Sequence, residues 1–405
     1  MLRISDLDEA VQIFLDPPRH GELMDTCLQL PEWFDLSLDA DSKAFRDQQI
    51  QFWREITKRT EYDPFADEDT PEVGALDAIY RPAFYSTGNA YEAGLHLLAM
   101  GHILLRSGIR EGDRVLECGA GFGQNALAFA RLGAKVDTID VGAGFCSMVR
   151  QSAERYNVDL TPHQIPFGSN PAGEDGAYDL ILFYESFHHC LDFKDVIPKL
   201  RDMLKPGGRI MLAGEPISSG PEENMPYPWG IRLHWTNVAV MRQRGWMELG
   251  FQQSYLIRQF ANAGLSWRLY PDPNAETAQV YEFKRWDAPI ELSNCGLTRA
   301  EEATWHGAEP NGRWTTSRTV LGIPSRDGRF SVDIVNLHPV ARRGHITMGD
   351  QSVHFELAAG ERASLEFSQR ACDHNQQIVI HSNVETGSPL DGRQLGIFVE
   401  RVSSK

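Results

Sequence analysis

The chain has 405 residues, 42% of them apolar and 23% charged, and a net charge of −17. That length suggests two or three domains, and the composition is the one expected of a soluble globular protein able to bury a sizeable core. Acid outnumbers base along the chain and no basic stripe stands out, which excludes nucleic acid as the expected partner, because phosphate binding needs clustered Lys and Arg.

Cysteine use and the N-terminus point to a compartment. Cys27, Cys118, Cys146, Cys190, Cys295 and Cys372 form no C-x-x-C pair, and their spacing fits neither zinc nor a disulfide framework. Reduced thiols in a cytoplasmic protein are therefore expected. Met1–Leu15 is too acidic and too poor in apolar residues for a signal peptide. No run approaches the roughly 20 apolar residues of a membrane span.

Residues 1–89 read as an N-terminal helical cap. Ser42–Thr60 sets Phe45, Ile50, Phe52, Trp53 and Ile56 among charges, an amphipathic helix with Ser42 as its cap. Tyr62–Glu72 is acidic, carries Pro64 and Pro71, and reads as a loop. Tyr80-Arg81-Pro82-Ala83-Phe84-Tyr85 then serves either as a packed connector or as an aromatic lid, in which Tyr85 would touch substrate.

Residues 90–288 alternate strand and helix. Tyr91–Arg106 has helical spacing, and strands are expected at Arg114–Glu117, Lys135–Asp140, Leu180–Tyr184 and Arg209–Ala213. Lys205-Pro206-Gly207-Gly208 reads as the turn before the last of these. Glu248–Ala263 reads as a helix closed by Gly264. Leu265–Tyr270 and Val280–Phe283 suit a final antiparallel pair.

Between the first two strands lies Glu117-Cys118-Gly119-Ala120-Gly121-Phe122-Gly123, followed by helical spacing over Asn125–Leu132. A buried strand runs into a turn where a ligand lies against the main chain. Asp140 closes the second strand, where a carboxylate can accept from both hydroxyls of a ribose. This is a nucleoside-binding βαβ unit. A dinucleotide loop would read G-x-G-x-x-G with a pyrophosphate at the helix N-terminus. Here the third glycine comes one position early, Gln124 takes its place, and Glu117 would repel a pyrophosphate but suit a cation.

On these residues the chain resembles the class I S-adenosylmethionine-dependent methyltransferases, whose first motif is (D/E)-x-G-x-G-x-G. Tyr178-Asp179-Leu180-Ile181 and Leu204-Lys205-Pro206-Gly207-Gly208 resemble two further motifs of that family. The resemblance implies a Rossmann-like α/β fold with a seven-stranded sheet and S-adenosylmethionine as cofactor. It implies cofactor contacts at Glu117, Gly119, Ala120, Gly121, Gly123, Asp140 and Tyr184. The adenine amine is often met by an acid after the third strand. Thr161-Pro162-His163-Gln164 has none, so Gln164 is the candidate there.

Methyl transfer is an SN2 displacement in which the protein aligns the acceptor and removes its proton. A positioned base is worth roughly 10²–10⁴ in rate for a hydroxyl acceptor. The fourth strand runs into Tyr184-Glu185-Ser186-Phe187-His188-His189-Cys190-Leu191-Asp192. His188 and His189 are candidate bases, with Glu185 and Glu215 as rivals. A His-His-Cys-Asp metal cluster is weighed as well. Adjacent residues splay on a regular element, so no metal is expected.

Trp229 and Arg232, with Trp246 nearby, offer a flat apolar face and a forked donor suited to a sugar; the bland alternative makes the tryptophans core residues. From about residue 289 helical spacing gives way to short alternating runs such as Phe330–Ile334, Val353–Leu357 and Ser364–Phe367. Residues 289–405 therefore read as an all-β sandwich. Trp305–Thr315 and Asp391–Ile397 resemble a β-domain that accompanies enzymes of surface-polysaccharide biosynthesis. The expectation is methyl transfer to a sugar or glycan hydroxyl. The alternatives are a non-sugar small-molecule acceptor, or a non-catalytic cofactor-binding protein of an assembly; a homo-oligomer is compatible with any of these.

Overall fold

The computed structural model describes residues 1–69, 80–218, 224–226, 228–272, 276–285, 290–291, 303–309, 311–323, 328–369, 376–388 and 391–404. Pro71, Cys295 and Cys372 lie outside them. The chain divides into two compact units. The first holds Met1–Lys205, Arg209–Leu256 and Pro271–Tyr281; the second holds Pro206–Gly208, Ile257–Tyr270 and Glu282–Lys405.

The N-terminal helices are α1 (Leu7–Phe14), α2 (Lys43–Thr57) and the single turn α3 (Pro64–Asp67). Ser42 caps α2, its hydroxyl accepting from the Phe45 amide at 3.1 Å. The sequence sets these residues apart as a cap, but they fold within the first unit. Phe45, Phe52, Trp53 and Ile56 are fully buried. The Trp53 indole donates to the Gly245 carbonyl at 2.8 Å, and the Leu28 amide to the Leu233 carbonyl at 2.7 Å. An apolar helix face of this size needs a partner, and the stretch from 229 to 251 supplies it.

The central succession is α4 (Ala90–Ser107), β1 (Arg114–Cys118), α5 (Gln124–Arg131), β2 (Lys135–Asp140), α6 (Ala143–Tyr156), β3 (Leu160–Gln164), β4 (Tyr178–Tyr184), α7 (Phe193–Met203) and β5 (Leu204–Ala213). Then come β6 (Ile217–Ser218), β7 (Trp229–Ile231), α8 (Trp235–Arg244), β8 (Leu249–Gln252), α9 (Gln253–Asn262), β9 (Leu265–Tyr270) and β10 (Val280–Arg285). Seven strands form one sheet in the order β3-β2-β1-β4-β5-β10-β9. The pairs β1–β2, β1–β4, β2–β3 and β4–β5 are parallel. The order reverses beside β1, the switch point at whose strand ends ligands collect in such sheets.

Two local expectations give way. Lys205–Gly208 is not a turn before β5 but lies inside it. Tyr178 pairs with Leu204 while Leu180 pairs with Arg209, so the intervening residues bulge from the ladder, with Gly207 at φ +77°. Residues 249–252 are a strand rather than the start of a helix. Leu249 and Phe251 are fully buried, and β8 pairs with β7 and β6 before the chain turns into α9.

The C-terminal strands form a sandwich. One sheet joins Trp305–Glu309, Gly312–Thr315, Phe398–Ser404, Gly328–Val335 and Arg362–Gln369; the other joins Arg318–Ile323, Gln376–Ser382, Arg342–Met348 and Gln351–Leu357. Both contribute to one core that includes Phe330, Val332, Phe367, Ile346, Phe355 and Ile380. Trp305 and Trp314 are core residues, 6% and 7% exposed. Asp391–Leu395 pairs with Glu385–Ser388. Cys118, Cys146 and Cys190 are free thiols. Among the described residues no helix is long and apolar enough to cross a membrane.

Candidate functional site

The glycine loop joins β1 to α5 with three left-handed residues: Gly119 at φ +67°, Gly121 at +49° and Gly123 at +68°. Each conformation is costly for any residue with a side chain. What a Cβ would meet differs among the three. At Gly119 it would lie 2.6 Å from the Ser186 Cβ, and at Gly123 2.8 Å from a Val149 methyl. The protein itself demands those two glycines. At Gly121 the nearest atom is a Phe145 ring carbon 4.0 Å away. Gly121 thus borders open space, where a ligand can meet bare backbone.

Asp140 ends β2 beside it. Its carboxylate accepts from the Gly121 amide at 3.0 Å and from the Gly142 amide at 2.8 Å. Each oxygen keeps a lone pair for a ligand hydroxyl. Burial raises the Asp140 pKa against the pull of these amides, and Asp69 adds to the rise. The Glu117 carboxylate turns to the N-terminus of α5, accepting from the Ala126 amide at 2.8 Å and the Asn125 side chain at 3.3 Å. There the helix dipole favours its charge, yet burial pushes its pKa up to about 7. Gln164 is exposed at the end of β3, and its amide donates to the Val141 carbonyl at 3.0 Å. Ala120 sits in the loop between Gly119 and Gly121, half-buried.

The chain leaving β4 builds the other side. The Tyr184 hydroxyl meets His96 Nδ1 of α4 at 2.5 Å, and the same nitrogen lies 3.8 Å from the Glu185 carboxylate. Glu185 is a left-handed non-glycine residue, φ +49°. Strain of that kind gathers at functional sites. Its side chain is 35% exposed. Burial raises its pKa to about 7, Glu215 and Glu92 add to the rise, and Arg232 opposes it. His96 also stacks on Phe84, with centroids 5.0 Å apart. Tyr85 packs beside Phe84 and stays 41% exposed.

Glu215 is spent on structure. Its side chain is fully covered and accepts from the amides of Ser186, Phe187 and His188 and from His188 Nδ1, at 2.8–3.1 Å. Burial would raise its pKa, but His188 and these amides outweigh that and hold it low. His188 is driven toward the neutral form by burial, with His189 next to it. His189 Nδ1 lies 3.1 Å from the Glu68 carboxylate. Burial disfavours its charge, yet Glu68, Glu248 and Glu215 together raise its pKa to about 9. His188 Nε2 faces Glu248 at 3.8 Å, and Arg232 donates to that same carboxylate.

Trp229 takes the bland role. Trp229 is 1% exposed, wedged between Phe45 and Phe193 with centroids 5.2 and 5.1 Å away, and its indole donates to the Ala40 carbonyl. Its ring offers no face to an acceptor, and Arg232 is engaged by Glu248. Trp246 lies 5.9 Å edge-on to His189. The site therefore gathers Glu117, Asp140, Tyr184, Glu185, His188, His189, Glu215 and Arg232, while Trp229 falls in the core. Glu68, His96 and Glu248 complete the arrangement and carry no signal in the sequence. Glu68 stands in an acidic loop, His96 in a helix without a motif, and Glu248 in a stretch that reads as helical.

Residues 115–208 match a family model described as a methyltransferase domain. With the seven-stranded order, this makes the α/β part a Rossmann-like fold of the class I methyltransferase type. Among curated proteins the chain is similar to the ubiquinone biosynthesis O-methyltransferase of Sodalis glossinidius, 34% identical over 36% of this chain and 59% of the relative. The protein of the same name from Cronobacter sakazakii is 32% identical over 36% of this chain and 60% of its own length. The chain thus spans about three fifths of these relatives. Among solved structures it is similar to 1,6-didemethyltoxoflavin N1-methyltransferase of Burkholderia thailandensis, at 16% identity over 56% of this chain and 92% of that one, with a TM-score of 0.37.

Proposed function

We propose that this chain transfers a methyl group from S-adenosylmethionine to a hydroxyl of a small-molecule acceptor. The observation that carries the reading is the pairing of Gly121, bare and left-handed beside open space, with an Asp140 carboxylate already oriented by two backbone amides. The donor set fits this cofactor. Glu117, Asp140 and Glu185 all have raised pKa values, chiefly because burial disfavours their charge, a cost that a bound cation would offset. When bound, S-adenosylmethionine supplies a methyl carbon activated by a positively charged sulfur. Asp140 takes the ribose hydroxyls, and Gly121 lets the backbone approach the cofactor.

Glu185 is the base. It is more exposed than His188 or Glu215, and it titrates near neutrality, where a general base works best. His96 and Tyr184 orient it. His188 and His189 keep the loop in place through Glu215 and Glu68. The name of the curated relatives supports oxygen as the accepting atom. His96 beside Glu185, backed by Phe84 with the partly exposed Tyr85 next to it, favours a flat aromatic acceptor such as a phenol. A glycan acceptor is the second reading; it rests on the likeness of Trp305–Thr315 and Asp391–Ile397 to the β-domain of polysaccharide enzymes.

Incubation with methyl-labelled S-adenosylmethionine and a panel of phenols, nucleotide sugars and oligosaccharides tests this. Label on a phenol supports the first reading, and label on a sugar the second. No label on any acceptor, with S-adenosylhomocysteine still bound, would leave a non-catalytic binding protein.

A further inference from the structure

We propose that His188, His189 and Glu248 form a binding site for one first-row divalent metal ion, with Zn²⁺ as the probe. One ligand atom from each residue lies within 4.8 Å of the other two. Ligand atoms on a tetrahedral zinc are about 3.3–3.5 Å apart, given bonds of about 2.0–2.1 Å. Side-chain rotation of roughly 1 Å closes the difference.

The surroundings are those of a metal site. A ligating histidine almost always gives its other ring nitrogen to a carboxylate, which fixes the tautomer and aims the free lone pair at the ion. Both histidines here have such a partner: Glu215 lies 2.9 Å from His188 Nδ1, and Glu68 3.1 Å from His189 Nδ1. The latter nitrogen is buried and pairs with Glu68 by charge, without an aligned hydrogen bond. Glu248 is held in turn by Arg232, as ligating carboxylates are.

Charge gives an independent reason. Glu68, Glu215 and Glu248 bring three negative charges to one cluster, and Arg232 returns one. With both imidazoles neutral, as ligands must be, two negative charges remain, which a divalent ion cancels. The backbone explains how neighbours can act together. Phe187–His189 is a single 3-10 turn, not a regular strand or α-helix, and it brings the two rings to 4.2 Å with an angle of 39° between them. His189 and Arg232 keep 19% and 24% of their side chains exposed, so an ion can reach the cluster. If the methyl-transfer reading holds, the open position on such an ion would take the acceptor oxygen and ease loss of its proton.

The test strips the full chain with a chelator, then titrates Zn²⁺ against a chromophoric competitor and counts bound metal by atomic emission. S-adenosylhomocysteine binding reports folding and stands apart from metal binding. We expect one tight equivalent in the wild type and a loss of roughly 100-fold or more in Glu248→Gln and in His188→Ala. Glu215→Gln should lose roughly 10- to 100-fold. The partly exposed row His381, His345 and His354, with ring centroids 4.7 and 5.3 Å apart on neighbouring strands, is the competing site. Loss in His345→Ala with no change in Glu248→Gln would overturn the proposal. So would a wild type that binds S-adenosylhomocysteine but no tight equivalent of metal.

Discussion

The two sides of the site are made of different material. The glycine side is main chain: a loop of three left-handed glycines, with two amides locked on one carboxylate. The histidine side is a network of charged and polar side chains, Glu68, His188, His189, Glu215, Arg232 and Glu248, each needing the next to offset its burial. A backbone cradle is rigid and tolerates few substitutions, since a Cβ has nowhere to go. A charge network can be retuned one group at a time, at the cost of leaving a buried partner unpaired. The first arrangement suits a cofactor that never changes. The second suits an acceptor that can differ from protein to protein.

The largest expected effect separates chemistry from binding. Glu185→Gln should lower turnover by roughly 10²–10⁴ and leave S-adenosylhomocysteine affinity unchanged. The groups facing Glu185 are Tyr184 at the end of β4, His96 and Glu92 of α4, Glu215 after β5, and Arg232. A base works deprotonated, so the wild-type rate should rise with pH as Glu185, raised to about 7, loses its proton, with a cationic cofactor drawing that value down. If the Glu185→Gln protein kept the same pH inflection, the base would lie elsewhere.

Next come the glycines. Gly119→Ala should cost about 2–4 kcal/mol, combining left-handed strain with overpacking against Ser186. Gly121→Ala should cost about 1–2 kcal/mol from its backbone conformation alone and still lose the cofactor. Thermal unfolding with and without S-adenosylhomocysteine distinguishes the two, and equal melting losses would erase the difference drawn between them.

On the histidine side, Trp229→Phe should destabilise by about 1–3 kcal/mol without altering the acceptor KM, because the indole fills a core and bonds to Ala40. A raised KM at unchanged stability would return Trp229 to the acceptor. Gln164→Ala should be smallest, within about 0.5 kcal/mol in cofactor affinity, since its side chain is exposed and tied to the backbone of Val141.

The glycine side was legible in the sequence because its parts are close together and obey a spacing rule. Glu117, Gly121 and Asp140 stand on one strand, one turn and the next strand. Even there the motif could not say that Glu117 turns to the helix N-terminus, since a strand-end acid can face either way. The seven-stranded sheet was implied by the family resemblance that these motifs carry; the strand and helix periods alone gave only the alternation. The histidine side was legible over Glu185–His189, one short stretch, and at Glu215 and Arg232, though not in the roles they take. Glu68 and Glu248 stand far apart in the chain and meet through the fold, which no spacing records. Trp229 misled because an aromatic beside an arginine has the same composition in a core as in a binding face. Residues 249–252 misled because Leu249 and Phe251 satisfy either period over so short a run.

The most direct test of the cofactor assignment is a calorimetric titration of wild type and Asp140→Ala with S-adenosylhomocysteine. The account predicts one equivalent bound by the wild type. It predicts a loss of about 2–3 kcal/mol in the variant, which forfeits the ribose bonds and frees the amides of Gly121 and Gly142. Equal affinity in the two proteins, or no binding by the wild type, would contradict it.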